Sequence, residues 1–486
     1  MQPSMFNVRV PLAEAGGGSD VFLMNTFTDA QLVVAPEVAS LLDRVSGASA
    51  SAFSPDERAA IETLSEHGFV VDSRVAERER LETYFREVRE DDDELRVTVL
   101  TTLQCNFACD YCIQGDHGDY NKTAAKMTLE QAERVAGWIE ARMDAVRPST
   151  FVLTLFGGEP LLNLPVAYFL AERLWASSQS RGVEMKISVI TNGLLLTPEV
   201  VDRLLPYGLI GVKITLDGDR DAHNRMRPLR GGQGTFDKII ANVRRIAGKC
   251  AISLGGNFDE TTVDSYPALL DYLAEQEFAN QITRVAFKPV IRDVMPAVTA
   301  GLDSRPGANR KFIGLTPVAE GKPLNGTCMT SAGSGTTAGA CDSCHFLDDQ
   351  MAFLRDETKK RGFATTDGVH MGPCEIHRRH AHTIGPDGDL YACPGFTGDR
   401  KMSTGHIDGR ADAYRSATLR RFEQLAAWKE CRDCAFIPVC AGGCTVASHS
   451  ELGDMNAPNC HKKSFEAGVV SLARDAAATL TTASAN

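Results

Sequence analysis

Short apolar runs at residues 8–12, 21–25 and 31–34 read as strands, the first two parted by the flexible stretch Gly16-Gly17-Gly18-Ser19. Residues 36–44 read as a helix. Ser54-Pro55-Asp56-Glu57 is a helix start, with Ser as N-cap, Pro at the first helical position and Glu placed for a capping box. That helix runs to about His67, and Gly68 stops it. A short strand at 69–71 and a highly charged helix at roughly 73–89 follow. Strands, then two short helices and another strand, predict a winged-helix-like module over residues 1–90. The alternative is a packing extension of the next domain.

After the acidic linker Asp91-Asp92-Asp93-Glu94 the pattern changes to alternating strands and helices. Strands are expected at 96–103, 152–156, 186–191, 211–216, 251–254 and 284–289. Helices are expected between them, at 128–142, 165–179, 197–206, 236–247 and 263–275. Six strand–helix steps with β-branched, buried strands imply an α/β domain over 96–290 built on a parallel sheet, curved into a partial barrel or left open. Chemistry in such sheets sits at the carboxyl ends of the strands. Residues 291–372 read as an irregular bridging region, with a loop rich in Gly, Ser, Thr and Ala at 327–340. Residues 373–465 are short, polar and cysteine-dense, as in a domain held by metal more than by a large core. Residues 466–486 read as a closing helix and frayed tail.

The chain has 486 residues, enough for several units, and 43% of them are hydrophobic. A formal net charge of -12 argues against nucleic acid or an anionic membrane as a partner. No apolar run approaches the ~20 residues that span a bilayer, and the first residues lack a secretion signal. A cytoplasmic protein is therefore expected. Fourteen cysteines in a reducing compartment then point to metal or catalytic roles over disulfides.

Cys105, Cys109 and Cys112 form Cys-x3-Cys-x2-Cys directly after the first strand of the α/β unit. Three thiolates on one loop can hold three irons of a [4Fe–4S] cubane and leave the fourth open. A structural zinc site would want four ligands, and the nearest extra candidate is His117. Cys105-Asn106-Phe107-Ala108-Cys109-Asp110-Tyr111-Cys112 resembles the signature of the radical S-adenosylmethionine (radical SAM) superfamily. The resemblance implies a partial (β/α)6, TIM-like barrel. It also implies that the open iron chelates S-adenosylmethionine, and that an electron from the cluster releases a 5′-deoxyadenosyl radical. Cys105, Cys109 and Cys112 are thus the candidate catalytic cysteines.

Other strand ends carry further resemblances. Gly157-Gly158-Glu159-Pro160 resembles the motif that contacts the methionine amino group, with glycines that let backbone approach a ligand and Glu159 able to accept from an ammonium. Thr191-Asn192-Gly193 resembles the ribose-contacting stretch, and Leu216-Asp217-Gly218 ends the fourth strand. His223-Asn224-Arg225-Met226-Arg227 resembles a His-Asp-x-x-Arg segment, with Asn224 where Asp is usual. The candidate cofactor contacts are therefore Tyr111, Gly157, Gly158, Glu159, Pro160, Thr191, Asn192, Asp217 and Arg227, the last for the cofactor carboxylate.

From Cys374 the order is Cys374-x13-Gly388-x4-Cys393, then Cys431-x2-Cys434-x5-Cys440-x3-Cys444, then Cys460. By composition alone this could be a pair of zinc ribbons. The full order resembles the SPASM domain, which holds two auxiliary [4Fe–4S] clusters, for three clusters in all. The resemblance implies Cys374, Cys393 and Cys444 at the first auxiliary cluster and Cys431, Cys434, Cys440 and Cys460 at the second. The fourth ligand of the first is expected from Cys344, with Cys341 and Cys328 further away; an open iron is the alternative. Cys250 reads as a buried small hydrophobe. His370, His377, His380 and His382 read as solvated or structural.

Enzymes with this domain pair mostly act on peptides or proteins. In the anaerobic sulfatase-maturing branch an Asp follows the cysteine at the Cys393 position and serves as base; here that residue is Pro394, which cannot take a proton. The resemblance then favours a maturase of ribosomally made peptides that forms a thioether or carbon–carbon crosslink. Residues 1–90 would bind the leader of a precursor peptide as an added strand. A peptide epimerase, a sulfatase-maturing-type enzyme and a maturase of a folded protein subunit are the alternatives. A flavodoxin or ferredoxin is the expected electron donor.

Overall fold

The computed structural model describes residues 1–13, 19–112, 124–291, 342–366, 368–370, 372–410 and 412–484, with backbone alone at 50, 342–347 and 481–484. Gly16 to Gly18, His117, Cys328, Cys341, the loop at 327–340 and the Cys344 side chain lie outside the described residues.

The chain opens with β1 (Gln2–Pro3), β2 (Asn7–Pro11), β3 (Val21–Asn25) and β4 (Gln31–Val34). α1 (Pro36–Arg44), α2 (Pro55–Glu66), β5 (Val70–Val71) and α3 (Arg74–Glu90) complete the first ninety residues. The capping box at α2 is present: Ser54 Oγ accepts from the Glu57 N–H at 3.2 Å, and Glu57 accepts from the Ser54 N–H at 2.8 Å. β2, β3 and β4 form an antiparallel sheet, while β1 pairs with β5. Successive residues of β3 point to opposite faces. Leu23 packs with Leu41, Leu42, Ile61 and Leu64 of the adjoining helices. Phe22 and Met24 face away, against Phe436, Val469 and Ala473 from the end of the chain. The unit thus has its own small core and also a broad apolar seat on the C-terminal region. Phe85 of α3 stacks on Trp428 at 4.8 Å between ring centroids.

The α/β unit runs β6 (Glu94–Leu100), α4 (Leu129–Val146), β7 (Thr150–Phe156), α5 (Leu164–Arg181), β8 (Glu184–Thr191), α6 (Pro198–Leu204) and β9 (Leu209–Thr215). It continues through α7 (Arg220–Met226), α8 (Phe236–Ile246), β10 (Ala251–Phe258), α9 (Tyr266–Ala274) and β11 (Ile282–Pro289). The six strands are parallel and stand in sequential order. Their buried side chains and the inner faces of the helices form the largest core.

Two features depart from the sequence expectation. The bridging region contains a 19-residue helix, α10 (Asp342–Lys360), packed on α9, β11 and the last helix. Leu347, Met351 and Leu354 do stand at helical spacing, but the stretch opens on the polar Asp342-Ser343-Cys344-His345 directly after the loop at 327–340. The second concerns β12 (Ala381–Ile384), β13 (Asp389–Tyr391) and β14 (Gly405–His406). β12 pairs in parallel with β6, so the cysteine-dense region extends the same sheet and covers its open edge. His382 of β12 meets Trp138 of α4 edge-on at 5.1 Å, and burial pushes its imidazole down to about 3. His377 is likewise buried, and His370 pairs with Asp29 at 2.8 Å. Cys250 is half-buried against the main core.

α11 (Ala413–Glu423), α12 (Ile437–Cys440), α13 (Thr445–Leu452) and α14 (Lys462–Ser484) follow. A modest cluster of Ile376, Tyr391, Phe396, Met402, Phe422 and Val446 supports this region. Among the described residues no helix is long and apolar enough to cross a membrane.

Candidate active site

The cysteine loop leaves β6 at the carboxyl edge of the sheet and is clipped to the segment after α7. Ala108 donates its N–H to Pro228 O at 2.9 Å, Arg230 donates to Asn106 O at 3.2 Å, and Phe107 bridges Leu229. Cys105 is 6% exposed, and its sulfur accepts the Phe107 N–H at 3.4 Å. The three thiols stand within electrostatic reach of one another. Burial, with Glu159 and the other two thiols adding to it, pushes Cys105 up to about 12. Burial pushes Cys109 to about 11 in spite of the Arg227 guanidinium. Thiols this hard to ionise become thiolates when a metal supplies the positive charge.

The neighbouring strand end is joined to this loop by backbone. Gly158 donates to Thr102 O and Glu159 to Gln104 O, both at 2.9 Å. A Cβ on Gly157 (φ +144°) would lie 2.2 Å from Thr102 O, and one on Gly158 2.3 Å from Gln104 O. The backbone that the two glycines admit is therefore that of the cysteine loop's own stem. Thr101 donates its hydroxyl to Pro160 O at 3.2 Å.

Glu159 is 0% exposed. Its carboxylate accepts from the Leu161 N–H at 3.0 Å, the Thr191 hydroxyl at 2.7 Å and the Asn192 N–H at 2.8 Å. The resemblance implies that this carboxylate accepts from an ammonium; in the structure it also ties the end of β7 to the end of β8. Glutamine at 159 would set an amide N–H₂ against at least one backbone N–H, of Leu161 or of Asn192, which can only donate. Glu159→Gln is expected to cost about 2–4 kcal/mol, since hydrogen bonds to a charged group are each worth roughly 1.5–3 kcal/mol. Chemical denaturation of the apoprotein measures it; a loss under about 0.5 kcal/mol, the usual range for a surface change, would deny the strut role.

Across the sheet, Tyr111, Asp217, Arg227 and Asn257 form one network. The Tyr111 hydroxyl donates to Asp217, and Arg227 donates to Tyr111 at 2.5 Å. Arg227 stands 3.5 Å from Asp217, whose carboxylate is 0% exposed and accepts the Asn257 N–H at 2.7 Å. The guanidinium also lies over the Phe107 ring, 5.6 Å from its centroid. Burial holds His223 far below its usual range, so it is neutral. Its Nδ1 accepts from Asp217 N–H at 3.1 Å and its Nε2 faces Thr235 Oγ1 at 3.0 Å. Asn224, the departure from the usual Asp, still supplies an oxygen: it caps α8 by accepting from Thr235 and Phe236. Two groups here have no hydrogen-bond partner among the described residues, Arg227 Nε and the Tyr266 hydroxyl, and both are buried. An orphaned cationic donor beside a cysteine triplet fits a ligand with an acidic group. The sequence reading did not single out Asn106, Asn257 or Tyr266; each is an ordinary residue until the strand ends meet.

The C-terminal cysteines sort into two groups by mutual electrostatic contact. Cys374, Cys393 and Cys444 form one. Cys431, Cys434, Cys440 and Cys460 form the other. Burial pushes Cys393, Cys431 and Cys440 up to about 12. Cys344 lies in the first turns of α10, whose Asp348 reaches His461, beside Cys460, at 3.0 Å. Among the described residues no three His, Cys, Asp or Glu side chains close onto a single metal ion.

Residues 99–254 match the family model of the Radical SAM superfamily. The chain carries a radical SAM domain. That domain brings one [4Fe–4S] cluster and S-adenosylmethionine as its implied cofactors. The mycofactocin maturase MftC of Mycobacterium tuberculosis (strain CDC 1551 / Oshkosh) is 24% identical over 379 residues, covering 73% of this chain and 79% of that protein. A serine-type anaerobic sulfatase-maturating enzyme of Bacteroides thetaiotaomicron is 22% identical over 370 residues, covering 72% and 82%. The solved structure "Native anSMEcpe with bound AdoMet" superposes with a TM-score of 0.54 at 16% identity, over 79% of this chain and 99% of that one. The central parallel sheet is thus that of radical SAM partial-barrel enzymes, with Cys105, Cys109 and Cys112 at the carboxyl end of its first strand.

Proposed function

We propose that the chain is a radical SAM maturase that modifies a ribosomally made precursor peptide and installs a thioether or carbon–carbon crosslink. The observation that carries the radical chemistry is the cysteine triplet on a loop held by backbone contact to the end of β7 and to the segment after α7. The peptide substrate class is supported by the likeness to a maturase over most of both chains.

Cys105, Cys109 and Cys112 would hold the cluster of the radical SAM domain, and Arg227 Nε would meet the cofactor carboxylate. Cys374, Cys393 and Cys444, with Cys344 from α10, would hold a first auxiliary cluster; Cys431, Cys434, Cys440 and Cys460 would hold a second. When bound, these groups and S-adenosylmethionine supply a 5′-deoxyadenosyl radical that takes hydrogen from a substrate carbon, with auxiliary clusters as electron acceptors. Asp217 and Tyr111 hold the guanidinium in place. Glu159 and the two glycines hold the cysteine loop. The N-terminal unit would take the leader as an added strand on its three-stranded sheet, whose outer strands β2 and β4 each have one edge with no strand partner among the described residues. A flavodoxin or ferredoxin would deliver the electron. Crosslinking is put ahead of the sulfatase-type reaction because Pro394 occupies the position of that reaction's base.

The test is anaerobic reconstitution of the full chain with iron and sulfide. About twelve irons are expected, as three cubanes require, together with 5′-deoxyadenosine on adding reductant and S-adenosylmethionine. Four irons with bound zinc would reduce the C-terminal cysteines to a structural role. No 5′-deoxyadenosine from cluster-loaded protein would overturn the radical reading.

A further inference from the structure

Glu159 orders more than its own loop. By taking the Thr191 hydroxyl and the Asn192 N–H it fixes the backbone at the end of β8. Gly193 then turns in the left-handed region (φ +83°), where a Cβ would lie 2.9 Å from Ile214. The turn brings the Leu194 N–H back onto Asn192 Oδ1 at 3.0 Å. A backbone N–H can only donate, so this contact decides which end of the Asn192 amide is oxygen. The N–H₂ end consequently faces the cysteine loop. Its nitrogen lies 2.7 Å from Asn106 Oδ1 and 3.9 Å from Cys105 Sγ, and it has one hydrogen for each. Asn192 is 5% exposed, so water does not compete for these contacts.

Both hydrogens of the amide are aimed at protein atoms, while its oxygen keeps a second lone pair. One hydrogen of the amide reaches a sulfur. Together with the Phe107 N–H at 3.4 Å, it gives Cys105 two N–H donors. Donors aimed at a ligand sulfur draw charge from it and favour the cluster state carrying one more electron; hydrogen bonding to sulfur is one of the terms that set cluster potentials.

We propose that Asn192 is a positioning residue that raises the reduction potential of the cluster held by Cys105, Cys109 and Cys112, by donating an amide N–H to the Cys105 sulfur. This rests on those three cysteines being cluster ligands. The electron itself comes from an external reductant and converts the oxidised cubane to its one-electron-reduced form.

The test is a redox titration of the reconstituted full chain with dithionite and mediators, followed by electron paramagnetic resonance. The radical SAM cluster is the component whose signal changes when S-adenosylmethionine is added. Asn192→Asp keeps the oxygen for Leu194, removes both donor hydrogens and adds a negative charge. It is expected to keep its irons and lower the ratio of reduced to oxidised cluster at a fixed potential about tenfold, which is about 59 mV for one electron. Asn192→Ala is expected to shift the ratio in the same direction by a smaller factor. Full iron content with an unshifted potential in both variants would overturn the proposal. Loss of four irons in both would also overturn it, making Asn192 a residue for building the site. Wild-type protein without an S-adenosylmethionine-responsive cluster would instead sink the reading underneath.

Discussion

Alanine at Cys105, Cys109 and Cys112 together is expected to lower the iron content of reconstituted protein from about twelve to about eight and to abolish 5′-deoxyadenosine formation. The three thiols lie on one loop whose anchors are mostly backbone: Ala108 on Pro228, Arg230 on Asn106, Phe107 on Leu229. Removing sulfur leaves those anchors in place. The C-terminal thiols belong to separate groups that share no cysteine with this loop. The fold and the remaining irons should therefore survive. Iron analysis alongside circular dichroism checks this. Loss of all iron would mean that the groups assemble as one unit. Retention of all twelve would place the clusters elsewhere.

Arg227→Ala should have the next largest effect, because it acts on two quantities at once. Asp217 is 0% exposed, and Arg227 is the cation 3.5 Å from it. Removing one partner of a buried pair leaves an uncompensated charge, which costs about 3–5 kcal/mol. Tyr111 and Asn257 still donate to Asp217, which places the expected loss at the lower end of that range. The same substitution removes the orphaned Nε donor beside the cysteine loop. Affinity of cluster-loaded protein for S-adenosylmethionine should fall by at least about tenfold, the equivalent of 1.4 kcal/mol. Arg227→Lys separates the two effects. It keeps a charge near Asp217 but has no forked guanidinium, so it should recover more stability than affinity. Wild-type affinity in Arg227→Ala, with four irons at the triplet, would remove Arg227 from the cofactor site.

The alternation of strands and helices, the capping box at Ser54 and the spacing of the cysteines within each loop were all legible in the sequence. These are local facts. A hydrogen bond three residues away, a side-chain period of two, and the reach of three thiols along eight residues are set by the covalent chain itself. The glycines of Gly157-Gly158 were legible as a close approach, but not what approached. That depends on β7 lying beside β6, which turns Thr102 and Gln104 into the partners.

Only the tertiary structure decided the rest. The union of the C-terminal region with the barrel sheet needs β12 against β6, and the nearby ion pair of Arg96 and Glu375 joins residues 279 positions apart. The seat of the N-terminal sheet on α14 is of the same kind. Helix α10 has a polar start that follows a loop of small residues, and what marks it as an element is its packing against α14, β11 and α9. Glu159 is the sharpest instance. Its type and place in a motif predicted a carboxylate for a ligand; the tertiary structure adds three donors from two strand ends that also hold it, and Asn192 is aimed at Cys105 as a result. Sequence determined which groups were available; the meeting of strand ends determined which donors stand against them, because a buried carboxylate takes the donors nearest to it.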